Sequence, residues 1–176
     1  MVYLMVGMNQ GALLPRSVQG YERLSTHGID SCTGLVLVSR DEIFLTHIPP
    51  AHGDTEFRTK YKSMIDGALA LMSGDVQATV VSPNKMFKTD AGAWTGESPN
   101  SGSIYIANTL DILYKWREEG GAAPRCKLVD IEYKSGNKIS VPREGRLEVA
   151  EGAFQSNEYR QRDGGSENQW LLINCR

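Results

Sequence analysis

The sequence predicts an α+β fold, one domain with a largely antiparallel, sandwich-like β core and two main helices packed outside it. Three observations lead there. Short β-favouring apolar runs recur at 34–38, 43–48, 76–81, 128–134 and 138–141, each bounded by turn residues. Two longer segments, 54–72 and 103–118, instead space their apolar residues three or four apart, as one face of a helix requires. A chain of 176 residues, 40% hydrophobic and 23% charged, is long enough to bury a substantial single core and should fold without a cofactor.

The elements follow in order. Met1 to Met8 is apolar and reads as a core strand; it lacks a positively charged leader region and is too short to span a bilayer. A chain of this kind is expected to be made in the cytosol, with export as an effector needing no cleavable signal. Gly34–Val38 and Ile43–Ile48 flank the polar stretch Ser39-Arg40-Asp41-Glu42 and form a β-hairpin. Asp54 is placed to cap a helix whose Phe57, Tyr61, Ile65, Leu69 and Met72 form one stripe, ending near Gly74.

Val76–Val81 is a strand. Residues 84–102 are rich in Gly, Ser, Thr, Asn and Pro and predict a long loop carrying Trp94, of the kind that borders sites and shapes substrate choice. Ser103 then caps a second helix with Ile106, Leu110, Leu113 and Trp116 on one side, closed by Gly120-Gly121. Ser135-Gly136-Asn137 supplies a turn between two further strands. Residues 143–169 are polar, and the apolar run Trp170–Ile173 adds an edge strand. No internal repeat and no domain boundary interrupts 1–176.

Charge and cysteine content exclude several function classes. The net charge is −2, and Lys and Arg are dispersed, so the chain has no basic footprint for nucleic acid. Cys32, Cys126 and Cys175 are an odd, widely spaced set, which argues against a disulfide framework and allows a reduced, reactive thiol. His47, His52 and Cys32 lack the spacing of a metal site, since Pro49-Pro50 interrupts them and no CxxC or HExxH pattern is present. No metal is expected.

Cys32 and His47 are the leading candidates for chemistry. If the hairpin loop is Ser39-Arg40, the two face each other with Cβ atoms roughly 5 Å apart; if it is Arg40-Asp41 they are diagonal, roughly 7 Å apart. A three-residue loop would send them to opposite faces. A thiolate is the attacking form of cysteine, and a nearby imidazole favours it and can protonate a leaving group. Gly28 and the polar residues up to Ser31 suggest a loop whose backbone N–H groups, near Cys32, face a developing oxyanion. Read without function, Cys32 is a small buried hydrophobe and His47 a satisfied interior histidine. His27 is a second candidate base.

The segment Thr26-x-Gly28-x-x-Ser31-Cys32 resembles the Thr-x-Gly-x-Gly-Ser-Cys motif of the chemoreceptor glutamine deamidases (CheD), in which Thr, Cys and a His on the next strand form the catalytic set. The likeness extends through Val6-Gly7-Met8, Leu45-Thr46-His47, the helix from Asp54 and a terminal hairpin over 127–141. It covers most of residues 2–142 and leaves 143–176 as an extension. Two departures bear on the substrate. Asp30 replaces the motif's second glycine, and Lys85-Met86-Phe87-Lys88 stands where the family has Phe-Gly-Gly. Toxins of the cytotoxic necrotizing factor type and protein N-terminal asparagine amidohydrolases share a similar Cys-His arrangement.

The resemblance implies a cysteine-dependent protein amidase acting on a glutamine side chain of a protein partner, with Cys32 as nucleophile, His47 as base and acid, and Thr26 accepting a hydrogen bond from His47. Asp30 and Asp54 compete as orienters of the ring, and Asp30 with Trp94 would shape the substrate. Transfer to an amine instead of water, an N-terminal asparagine substrate, and a binding module with an idle Cys-His pair are the alternatives.

Overall fold

Two β-sheets face one another across an apolar layer, and two helices cover the outer side of the larger one. The computed structural model describes residues 3–8, 10–30, 32–49, 54–83, 86–88, 90, 94–96, 101–119, 125–155, 159–161 and 170–172. In chain order the elements are β1 (Tyr3–Met5), β2 (Gly11–Pro15), β3 (Arg23–Thr26), β4 (Thr33–Val38), β5 (Glu42–Ile48), α1 (Asp54–Leu71), β6 (Gly74–Ser82), β7 (Met86–Lys88), β8 (Trp94–Gly96), α2 (Ser101–Glu119), β9 (Cys126–Ser135), β10 (Lys138–Pro142), β11 (Glu148–Ala150), β12 (Tyr159–Gln161) and β13 (Trp170–Leu172).

The larger sheet runs β13-β2-β5-β4-β6-β9 and the smaller β11-β10-β3-β1-β12. Antiparallel pairs β2–β5, β5–β4 and β4–β6 form the centre of the larger sheet, with parallel pairs at both edges. The central strands are buried on both faces, which explains why β4 and β5 read as continuous apolar runs instead of alternating ones. Leu35, Leu37 and Phe44 pack with Ile65, Leu69, Leu110 and Leu113 of the helices. Val36, Ile43 and Leu45 point the other way and meet Leu4, Leu24, Ile139 and Val141 of the smaller sheet. Each such fully buried side chain contributes about 1.5–3 kcal/mol through removal from water.

The two helices and the strands β1, β4, β5, β6, β9, β10 and β13 fall where the sequence puts them, whereas β2 and β3 are not predicted. Two expectations need correction. Residues 84–102 are not one irregular loop: β7 and β8 pair antiparallel, with Phe87 opposite Thr95 and Lys88 opposite Trp94, and α2 already starts at Ser101. The β-favouring residues there are too few to stand out against the polar background.

The expected hairpin over 127–141 is not a hairpin. β9 pairs with β6 in the larger sheet and β10 with β3 in the smaller, so Ser135-Gly136-Asn137 carries the chain from one sheet to the other. Gly136 donates its N–H to Ser82 O at 2.8 Å, and a Cβ there would stand 2.6 Å from Val149 Cγ1. That close approach makes the glycine part of a corner. Strand propensity does not say which neighbour a strand takes.

The segment beyond Pro142 is built into both sheets. β11 and β12 form the two edges of the smaller sheet, and β13 forms one edge of the larger as the apolar run at 170–173 predicts. No helix among the described residues is long and apolar enough to cross a membrane.

Candidate active site

The register of the β4–β5 hairpin decides where Cys32 and His47 meet. Gly34 lies opposite His47 and Thr33 opposite Ile48, and Ser39 N–H donates to Glu42 O at 2.9 Å across the two-residue loop Arg40-Asp41. Of the registers open to the sequence, this is the diagonal one. Cys32 stands one residue before β4, with the parity of Gly34 and therefore of His47. Its packing agrees, since Cys32 belongs to the same inter-sheet layer as Val36, Ile43 and Leu45. Cys32 is 7% exposed and His47 5%.

The opposing sheet supplies the third group. Thr26, the last residue of β3, is buried and holds its Oγ1 2.9 Å from His47 Nδ1. The same hydroxyl donates to Val6 O at 2.8 Å. A hydroxyl has one proton, so with that proton on Val6 the Thr26 oxygen accepts from Nδ1–H. The neutral ring then carries its lone pair on Nε2, which is buried and has no hydrogen-bond partner among the described residues.

Electrostatics keep the ring neutral. The His47 pKa is lowered to about 4, chiefly by burial, with the nearby His27 adding to the effect and Asp30 opposing it. The expected stabilisation of a thiolate by a charged imidazole is therefore not the resting arrangement. Near neutral pH the ring offers Nε2 as a base instead.

The loop from Thr26 to Cys32 is braced from behind. Gly28 takes the left-handed conformation (φ +69°), which turns the chain between β3 and Ile29. Ile29 N–H donates to Asn137 O at 3.3 Å, and Phe154 N–H donates to His27 Nδ1 at 2.8 Å. His27 therefore has one ring nitrogen committed to the scaffold. Asp30 is exposed, its carboxylate 3.5 Å from Asn137 Nδ2, and it reaches His47 only through its field. Thr26, not Asp30, touches the ring. Ser31 and His52 lie outside the described residues, as does the side chain of Asp54; of Trp94 only its place in β8 is described.

Sequence reasoning matched Val6-Gly7-Met8 to a family strand but missed how Val6, Gly7 and Gln10 tie these parts together. Val6 O takes the Thr26 hydroxyl, while Gln10 O takes both the His47 N–H at 3.2 Å and Thr46 Oγ1–H at 2.8 Å. Gln10 Oε1 closes the loop by accepting Gly7 N–H at 2.9 Å. Apart from the Gln10 side chain, main-chain carbonyls carry this work and leave no residue signature.

Cys126 provides a contrast. Its thiol donates to Leu69 O at 3.0 Å, and burial, with the Glu42 charge, pushes its pKa up. It is chemically quiet by construction. Among the described residues no three His, Cys, Asp or Glu side chains gather as metal ligands. The chain matches no protein-family model, and no curated protein matches it.

Proposed function

We propose that this protein is a cysteine-dependent protein amidase that deamidates a glutamine side chain. The observation that carries the reading is the Thr26–His47 contact: a neutral, buried imidazole held in one tautomer with Nε2 unpartnered among the described residues, in the same layer as the Cys32 thiol. As the carboxamide enters, Nε2 takes the Sγ proton and the sulfur attacks the amide carbon. The tetrahedral intermediate collapses as Nε2–H protonates the departing nitrogen, releasing ammonia and leaving a thioester. Water, deprotonated at Nε2, then hydrolyses the thioester to a carboxylate and restores the thiol. Thr26 is suited to this because a neutral acceptor fixes the ring without supplying a charge that would hold it protonated.

The resemblance of 26–32 to the chemoreceptor deamidases supports a glutamine substrate, and Asp30 sets this loop apart from that family. The deciding experiment is mass spectrometry of candidate proteins incubated with native enzyme and with Cys32→Ala. The expected result is conversion of a glutamine to glutamate, with ammonia release, by the native enzyme alone. Equal conversion by the variant would overturn the proposal.

The near-complete burial of Cys32 and His47 favours one second reading, a binding module whose Cys-His pair is structural. It predicts that Cys32 alkylates no faster than Cys126 in the native protein.

A further inference from the structure

A concavity lies on the far side of the smaller sheet from His47. Strand alternation sends Leu24 and Thr26 into the inter-sheet layer, so Arg23 and Ser25 face outward, in register with Tyr3 and Ser140 respectively. Tyr3, Arg23, Lys138, Ser140, Glu148 and Phe154 line a cavity of about 230 Å³ there.

Its charges do not cancel. Arg23 Nη1 donates to Glu148 Oε2 at 2.9 Å and to Ser140 Oγ at 3.0 Å, closing one ion pair. Lys138 Nζ sits 4.4 Å from the centroid of the Phe154 ring and meets no carboxylate among the described residues. Ser140 Oγ accepts from Arg23, which leaves its own proton for another acceptor. Directly opposite Ser140, Ser25 Oγ is buried and without a hydrogen-bond partner among the described residues. Tyr3 and Phe154 meet edge to face, 6.0 Å between centroids, and make an apolar wall beside these donors.

We propose that this cavity binds a small monocarboxylate bearing an aromatic or apolar group, its carboxylate taken by Lys138 Nζ and Ser140 Oγ–H and its body set against Tyr3 and Phe154. One cation uncompensated among the described residues matches one negative charge, and a second would meet the Glu148 carboxylate. The volume admits a group of about one amino-acid residue. The ring contact already positions the ammonium, so little side-chain order is lost on binding. A free carboxylic acid and the carboxyl end of a chain share this chemistry. The proposal is independent of the Cys32 reaction.

The test is an amide-resolved NMR titration of the full-length protein with phenylacetate, with phenylacetamide, and with a short peptide ending in phenylalanine as the acid or the amide. Phenylacetate or the acid peptide should shift the Lys138, Ser140 and Phe154 amides, the responding probe identifying the source. Lys138→Gln should weaken that binding about five- to tenfold, and Ser140→Ala should weaken it too. Equal binding of acid and amide forms, no shift at those amides with either acid, or unchanged affinity in Lys138→Gln would each overturn the site.

Discussion

His47 Nδ1 lies 2.9 Å from Thr26 Oγ1, and the proton of that hydroxyl is directed at Val6 O 2.8 Å away. The two contacts set the direction of the bond between strands of opposing sheets. They make the ring tautomer a property of β3 and of Val6, the residue that follows β1, although the ring belongs to β5.

Replacing Thr26 by Val removes the acceptor and leaves Nδ1–H buried without a partner, a cost of about 1–3 kcal/mol in stability. Ammonia release should fall about a hundredfold, the scale of lost general acid–base catalysis. Thr26→Ser should recover most of both. Activity measured alongside urea unfolding checks this, and a Ser variant as impaired as Val would show that the hydroxyl alone does not hold the ring.

The two described cysteines should differ in reactivity. Cys126 is held as a thiol by burial and its bond to Leu69 O, while Cys32 shares a layer with an available base. Iodoacetamide in the native protein should label Cys32 first, and His47→Ala should slow Cys32 without changing Cys126. Peptide mapping of partially labelled protein gives both rates at once.

Stability should rise with pH between about 4 and 6.5. The pKa of His47 is about 4 in the fold against 6.5 for an ordinary histidine, so in that window the unfolded chain binds more protons than the folded one. Its contribution is complete above 6.5 and lost as pH falls toward 4, amounting to about 3 kcal/mol over the window. Denaturant titrations across this range should show the slope, and His47→Gln should flatten it.

Much of this was legible in the sequence because it rests on side-chain pattern. The apolar runs of β4 and β5 and the helical stripes of α1 and α2 named their elements, and the Arg40-Asp41 loop was one of two that bring Cys32 and His47 to one face. What stayed hidden rests on the main chain or on distant pairing. Gln10 O and Val6 O hold the site without any side-chain signature, and β10 crosses to β3 where local propensity suggested a partner in β9. The β7–β8 pair was hidden for a simpler reason, the shortness of both strands.

Gly34 gives the sharpest packing test of the site. It faces His47 across the hairpin, and a Cβ at this position would stand 2.3 Å from Ile139 Cδ1 and 2.9 Å from Ile29 Cδ1. Ile139 is fully buried, so its side chain has nowhere to retreat, and Gly34→Ala should cost about 1–3 kcal/mol. Ile139→Val deletes the Cδ1 atom that makes the shorter contact. On its own it should destabilise by about 0.5–1.5 kcal/mol through lost packing. In combination the two should cost less than the sum of their separate effects, because the cavity left by one receives the methyl of the other. Gly28→Ala is the control: its Cβ would meet nothing within 4 Å, and its φ of +69° leaves only a backbone penalty of about 1 kcal/mol, unrelieved by Ile139→Val. Urea unfolding of the five variants separates the cases, and strict additivity of Gly34→Ala with Ile139→Val would show that Ile139 does not set the space beside His47.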